Sequence, residues 1–228
     1  MDDGCYLYCA VPDGHSPTGD LRGIDNAVVR AVSTADLAVW ISPLPRPPMP
    51  SVEAIQRHNA VIEAAMTAAV TPVPFRFGQF VGSLSALAAR VAERSGEWRA
   101  QLEAFAGHEE YGVRVLDPAI EPAVRDVHPA PVSGRAYLET LARAAGDERH
   151  RRTRAEVIAS ELKTRLGGLV VQQRVEPLPS AHGLATIAHL VRHEDAAAYR
   201  DALDSARASM PALRFLSSGP WPPYSFAG

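Results

Sequence analysis

The sequence predicts an α+β protein with two domains, at residues 1–128 and 129–228. The chain has 228 residues, more than the usual single domain of about 100 to 150 residues. Both halves mix the two-residue period of strands with the 3.6-residue period of helices. Between the halves, four prolines within residues 118–131 favour a boundary near residue 128. Hydrophobic residues make up 46% of the chain and charged residues 21%, which is enough apolar material for packed cores.

The first half opens on three strand-like segments. Residues 5–11 form an aromatic and aliphatic run closed by Pro12-Asp13-Gly14, which predicts a central or well-covered strand. Apolar runs at 27–32 and 37–41 are separated by a short polar stretch, and this spacing favours an antiparallel hairpin.

Both cysteines of the chain, Cys5 and Cys9, lie in the first predicted strand. At a rise of about 3.3 Å per residue they stand ~13 Å apart, too far for a disulfide, whose Cα atoms must lie within ~7 Å. We expect two buried thiols in a reducing compartment, with a metal or redox pair as the alternative.

Two helices and two strands complete the first predicted domain. Ser51 and Ser83 are good N-caps for helices that end before Pro72 and at Gly107. Between the helices, residues 73–81 predict a strand with Phe75 and Phe77 on one face and Arg76 on the other. After Gly107, residues 109–116 alternate in polarity and predict a half-buried strand.

The second half predicts a ferredoxin-like domain with an antiparallel sheet and packed helices. Helical spacing runs over residues 133–166, either as one long helix or as two helices that break at Gly146. Strands at 169–175 and 184–191, a helix at 195–210 and a strand at 213–216 follow. This order is ferredoxin-like with its first strand missing or borrowed, and the first half has a related mixed α+β sheet.

The motifs that would indicate catalysis or nucleotide binding are absent from the sequence. It has no G-x-x-x-x-G-K-[ST] loop, no G-x-G-x-x-G after a strand and no G-x-S-x-G elbow. His189 and His193 share a strand face but stand ~13 Å apart, too far for one metal ion. Glu109 and Glu110 point to opposite faces of a strand, and His108 has no nucleophile beside it, so we expect no enzyme and no cofactor.

Charge argues against a nucleic acid partner, and the lack of a long apolar run argues against a membrane span. The formal net charge is −3, without the positive excess that sequence-independent nucleic-acid binding uses. The one basic cluster, at residues 149–154, is flanked by acidic residues at helical spacing, which predicts a solvated, ion-paired helix; docking to a partner is the alternative. The start lacks the features of a signal peptide and no apolar run approaches ~18 residues, so we expect a cytoplasmic protein.

Five ordered segments carry a resemblance to a known family. They are Tyr6–Val11, Pro74-Phe75-Arg76-Phe77-Gly78, Gly107–Glu110, Ser133–Leu138 and Ser218-Gly219-Pro220-Trp221-Pro222-Pro223-Tyr224-Ser225-Phe226. Together they resemble the landmarks of the gas vesicle protein F/L family over nearly the whole chain, and the closing segment is the most specific. Phe75 departs from the pattern, because the family is expected to carry an aliphatic residue there. The resemblance does not separate the F member from the L member.

The resemblance implies a function in assembly rather than catalysis. It implies a cytoplasmic accessory protein that binds the hydrophobic shell protein and other accessory proteins during gas vesicle nucleation and formation. A ferredoxin-like, small-molecule-binding regulatory protein is the alternative. The aromatic, proline-rich tail should be pinned to apolar surface. The candidate partner-binding or structural residues are Phe75, Arg76, Phe77, Gly78, Trp221, Pro222, Pro223 and Tyr224.

Overall fold

A computed structural model describes residues 4–33, 36–67, 70–120, 134–178, 180 and 182–227. The chain divides into two compact units, the first of residues 1–110 with 220–228 and the second of residues 111–219. The boundary expected near residue 128 lies outside the described residues, so the domain bounds 1–128 and 129–228 remain a prediction. The tail, expected in the second domain, groups with the first unit.

The first unit is a five-stranded antiparallel sheet with two helices. Its strands are β1 (Gly4–Pro12), β2 (Arg30–Ser33), β3 (Leu37–Leu44), β4 (Val73–Pro74) and β5 (Phe80–Val81). Their order is β2-β3-β1-β4, and β5 also pairs with β1. The predicted hairpin is confirmed, since β2 pairs antiparallel with β3. The central position predicted for β1 is confirmed as well.

The helices of the first unit are α1 (Val52–Ala65) and α2 (Leu84–Phe105). Both predicted N-caps are confirmed, because Ser51 Oγ accepts from the Ala54 amide and Ser83 Oγ from the Ala86 amide, each at 3.1 Å. Residues 4–11 of β1 are all buried, which requires apolar cover on both faces of the sheet. Cys5 and Cys9 are buried free thiols in this strand, as predicted, and burial raises the pKa of both.

The second unit is built on a four-stranded sheet. Its elements are β6 (His108–Leu116), α3 (Gly134–Leu166), β7 (Gln172–Pro177), β8 (Gly183–Arg192), α4 (Ala196–Ala208) and β9 (Arg214–Trp221). The sheet order is β7-β8-β6-β9, with β7 and β8 antiparallel. The βαββαβ sequence with this strand order is the ferredoxin-like arrangement. Its first strand is β6, which the predicted boundary near residue 128 places in the first domain.

The core of the second unit fixes the positions of α3 and α4. Tyr111, Val113 and Val115 of β6 are buried beside the C-terminal part of α3 and the apolar face of α4. The helix α3 is a single element of 33 residues, which resolves the choice left open at Gly146. It ends at Leu166, and the next residue is Gly167, whose φ of +56° suits a glycine terminator. Among the described helices, none is both long enough and apolar enough to cross a lipid bilayer.

Candidate partner-binding site

The Phe-Arg-Phe-Gly segment is a turn rather than a continuous strand. The strand β4 ends at Pro74, and Gly78 turns the chain with a φ of +94° before β5 begins. Phe75 therefore packs on Trp98 of α2, with ring centroids 4.9 Å apart. Phe77 instead packs on His58 of α1 at 5.7 Å. The prediction that Phe75 and Phe77 share one face is wrong, because the chain leaves the sheet between them.

A buried hydrogen-bond network holds this turn. The Nε2–H of His58 donates to the carbonyl oxygen of Phe75 at 2.9 Å, so its Nδ1 is free to accept from the Tyr6 hydroxyl, also at 2.9 Å. The Tyr6 oxygen in turn accepts from the amide of Gly78 at 3.1 Å. One histidine and one tyrosine thus tie both ends of the turn to α1 and β1.

Burial keeps both members of this network neutral. It lowers the pKa of His58 to about 4, since the imidazolium would lose its hydration in the core. It also raises the pKa of Tyr6 well above its ordinary value, although the Gly78 amide opposes this shift. His58 lies on the buried face of α1. The structure assigns it a positioning role.

Arg76 projects from the turn at the mouth of a cleft. Its side chain is exposed and makes no hydrogen bond or ion pair with any described residue. The cleft has a volume of about 250 Å³ and lies between the turn and α2. Arg90, Arg94 and Trp98 of α2 line the side that faces Phe75 and Arg76.

The tail is pinned to the first unit, as predicted. The Tyr224 hydroxyl donates to Asn59 Oδ1 at 3.0 Å. Ser225 donates from its amide and its hydroxyl to the Glu110 carboxylate, at 2.8 and 2.6 Å. Phe226 is buried, so one apolar anchor and two polar anchors hold the segment.

The tail residues differ in what they offer to a partner. Pro222 and Pro223 are buried, whereas Trp221 remains 38% exposed. Tyr224 packs against the same core cluster as Phe77. The structure therefore brings the two predicted motifs onto one unit, where Arg76 and Trp221 are their exposed side chains.

Among the described residues, the sheet of the second unit ends on two strands that no further strand covers. In the order β7-β8-β6-β9, both β7 and β9 stand at the end of the sheet. Every residue of Arg214–Trp221 except Phe215 is exposed, and Leu216 keeps 55% of its surface accessible. On β7, Val175 is 36% exposed.

The remaining sequence candidates have structural partners. His189 is buried, hydrogen-bonded to Tyr199 and Gln173 at 2.8 and 3.1 Å, and burial lowers its pKa to about 4. Among the described residues no group of three His, Cys, Asp or Glu could hold a metal ion. In the basic cluster, Arg152 pairs with Glu156 at 3.5 Å within α3, which is the predicted pairing at helical spacing. Arg154 instead pairs with the buried Asp117 outside the helix, at 2.5 Å.

Comparison with known proteins identifies the family. A family model described as gas vesicle synthesis protein GvpL/GvpF matches residues 4–228. Gas vesicle protein L2 of Halobacterium salinarum is 28% identical over 258 residues, covering 100% of this chain and 92% of that protein. Gas vesicle protein F2 of the same organism is 25% identical over 225 residues, covering 97% and 90%. The crystal structure of GvpF from an Anabaena species shares the fold, with a TM-score of 0.78 at 20% identity over 100% of this chain and 97% of that one. This chain therefore belongs to the gas vesicle GvpL/GvpF family.

Proposed function

We propose that this chain is an accessory protein of gas vesicle assembly that binds the hydrophobic shell protein, and other accessory proteins, while the vesicle nucleates. The observation that carries the proposal is the family match over residues 4–228. In this proposal the protein is cytoplasmic or bound to the vesicle. It acts by binding alone, with no catalysis, cofactor, nucleic acid or membrane partner.

The exposed edge of β9 supports a mode of binding. An edge strand offers unpaired amide and carbonyl groups, to which an extended segment of another chain can add as a further strand. Residues 215–219 of β9 carry no charge, and Leu216 presents an exposed apolar side chain there. Such an edge suits a hydrophobic partner that would otherwise aggregate.

The other edge of the same sheet is better protected. Within β7, Arg174 and Glu176 place two charges inside the strand and Pro177 ends it, whereas in β9 the charge of Arg214 and the proline at Pro220 lie near the two ends of the strand. Charges and prolines are the features that block strand addition. We therefore assign shell-protein binding to β9 and use β7 as the internal control.

The test of the function is capture of the shell protein together with a deletion strain. The tagged chain should retain the shell protein during affinity purification, and cells that lack the gene should form few or no vesicles by electron microscopy. Normal vesicles in the deletion strain, with no shell protein captured, would contradict the proposal.

The test of the binding mode compares lysine substitutions at the two edges. Leu216→Lys should abolish capture, because an ammonium group placed on this edge opposes an added apolar strand. Val175→Lys is the matched control, since it introduces the same charge on the opposite edge. Both variants should keep the far-ultraviolet circular dichroism of the parent. Equal capture by the two variants would remove β9 from the proposal.

One observation favours the alternative function, a small-molecule-binding regulatory protein. The second unit has a cavity of about 310 Å³, within the usual range for ligand sites of about 300–1,000 Å³. Glu148, Arg151, Arg152 and Glu156 of α3 converge on it. A rise in Tm with a metabolite library, lost in Arg151→Gln, would favour this function.

A further inference from the structure

The cleft between the turn and α2 has a distinct charge pattern. Eleven described residues line it, and they include three arginines and no carboxylate. On α2 the lining positions 90, 94, 98 and 101 are spaced by four, four and three residues, which places them on one helical face. The turn supplies the opposite wall with Phe75 and Arg76.

Two of the three arginines keep an uncompensated charge. Arg94 is neutralised by Glu97, its neighbour on the helix, through contacts of 2.7 and 2.8 Å. Arg90 donates only to the neutral Gln79 side chain, at 2.6 Å, among the described residues. Arg76 has no partner among them. The cleft therefore holds two guanidinium groups whose forked donors match a carboxylate.

The floor of the cleft is apolar and the space is small. The two walls meet where the rings of Phe75 and Trp98 pack together, and both rings line the cleft. A volume of about 250 Å³ lies below the usual range for small-molecule sites and suits one or two side chains of a larger partner. Arg76 is exposed at the edge of the cleft, so a bound segment of a partner can continue from the cleft into solvent.

We infer that this cleft binds an acidic segment of a protein partner. Its carboxylates pair with Arg76 and Arg90, and an adjacent apolar side chain packs against Phe75 and Trp98. The inference rests on the proposed function only in taking the occupant to be a protein. It adds the chemistry of the bound segment and a surface separate from β9.

The test is a titration of the full chain with capped tetrapeptides. Binding is monitored through the indole N–H signal of Trp98 in nitrogen-15 spectra. The probe is acetyl-Glu-Leu-Glu-Leu-amide, and its matched control replaces both glutamates by glutamine. Trp40, whose indole donates to the His15 carbonyl at 3.0 Å, provides an internal reference signal. We expect saturable shifts of Trp98 with the acidic peptide, affinity about tenfold lower with the glutamine peptide, and weakening at high salt.

Variants of the protein locate the contact. Arg76→Gln and Arg90→Gln should each lower the affinity for the acidic peptide about tenfold. Arg76→Lys should lower the affinity less, because the positive charge remains. Arg46→Gln is the matched control, since Arg46 is an exposed arginine of the same unit that lies outside the cleft. Unchanged Tm values establish that the variants are folded.

The possible outcomes are distinct. Absence of binding, equal affinity for the glutamine peptide, or equal affinity in Arg76→Gln would overturn the inference. Trp98 shifts with inorganic phosphate or an octathymidylate but not with the acidic peptide would overturn it too, in favour of a phosphate site. If the peptide binds but the shell protein is not captured, the inference about the cleft is supported and the proposed function is contradicted. If the shell protein is captured but the peptide does not bind, the proposed function is supported and the inference about the cleft is contradicted.

Discussion

His58 lies in the core of the first unit, and both of its ring nitrogens are hydrogen-bonded. Because one of these bonds holds the turn that carries Arg76, the protonation of His58 reports on that turn. The His58 side chain is 1% exposed, and burial lowers its pKa from 6.5 to about 4. The unfolded chain therefore binds a proton at this residue between pH 6.5 and 4, whereas the folded chain does not. The stability that neutral His58 contributes is present above pH 6.5 and is lost as the pH falls towards 4.

We predict that the first unit loses about 2 kcal/mol of unfolding free energy through His58 between pH 8 and pH 5. All three tryptophans belong to this unit, so urea unfolding followed by tryptophan fluorescence reports on it selectively. His58→Gln should be less stable at pH 8, because it removes buried hydrogen bonds. It should also show a smaller loss of stability on acidification.

The control for this prediction is His15→Gln, the same replacement at an exposed position of the same unit. If His58→Gln and the parent lose stability equally between pH 8 and pH 5, then His58 is not held neutral by the fold, and its role in positioning the turn loses this support.

At the scale of elements, the turn after β4 depends on one glycine. Gly78 adopts a φ of +94°, a region that L-residues rarely occupy, and a Cβ atom there would meet no atom within 4 Å. Any cost of Gly78→Ala is therefore conformational rather than steric.

We predict that Gly78→Ala lowers the free energy of unfolding of the first unit by about 1–2 kcal/mol. Gly82→Ala is the matched control, because Gly82 lies four residues further along, has equally open surroundings and no positive φ. It should be neutral or slightly stabilising, since alanine restricts the unfolded chain. Equal effects of the two substitutions in urea denaturation would show that the turn does not require glycine.

The same segment shows where sequence patterns succeed and fail. Ser51 and Ser83 predicted both helix starts, because an N-cap is a local interaction that a few residues specify. The alternation of Phe75, Arg76 and Phe77 suggested a strand, but Gly78 and the contacts with His58 and Tyr6 give these residues a turn. Those contacts join residues 17 to 72 positions apart, and local periodicity carries no information about them.

The candidate site was predictable only in part for the same reason. The sequence indicated that the tail must be pinned, since Trp221, Tyr224 and Phe226 need apolar cover. It could not indicate that Glu110 anchors the tail, because that contact spans 115 positions. Arg90 and Arg94 fall inside the predicted second helix, but only the fold places Phe75 and Arg76 opposite them.

At the scale of the whole molecule, the sequence and the structure place β6 in different domains. The sequence placed a boundary near residue 128, which leaves the second domain without β6. In the structure β6 lies between β8 and β9, and Tyr111, Val113 and Val115 belong to the core of the second unit. A fragment of residues 129–228 would therefore lack a central strand and a large part of its core.

We predict that a fragment of residues 108–219 folds on its own, whereas a fragment of residues 129–228 does not. Loss of β6 removes three buried apolar side chains, each worth about 1.5–3 kcal/mol, from a unit whose total stability is about 5–15 kcal/mol. It also leaves β8 and β9 without the strand that joins them. Cooperative urea unfolding by circular dichroism and dispersed amide signals should appear for the longer fragment alone. If residues 129–228 fold equally well, the boundary near residue 128 is correct and β6 is an accessory strand rather than the first strand of the ferredoxin-like unit.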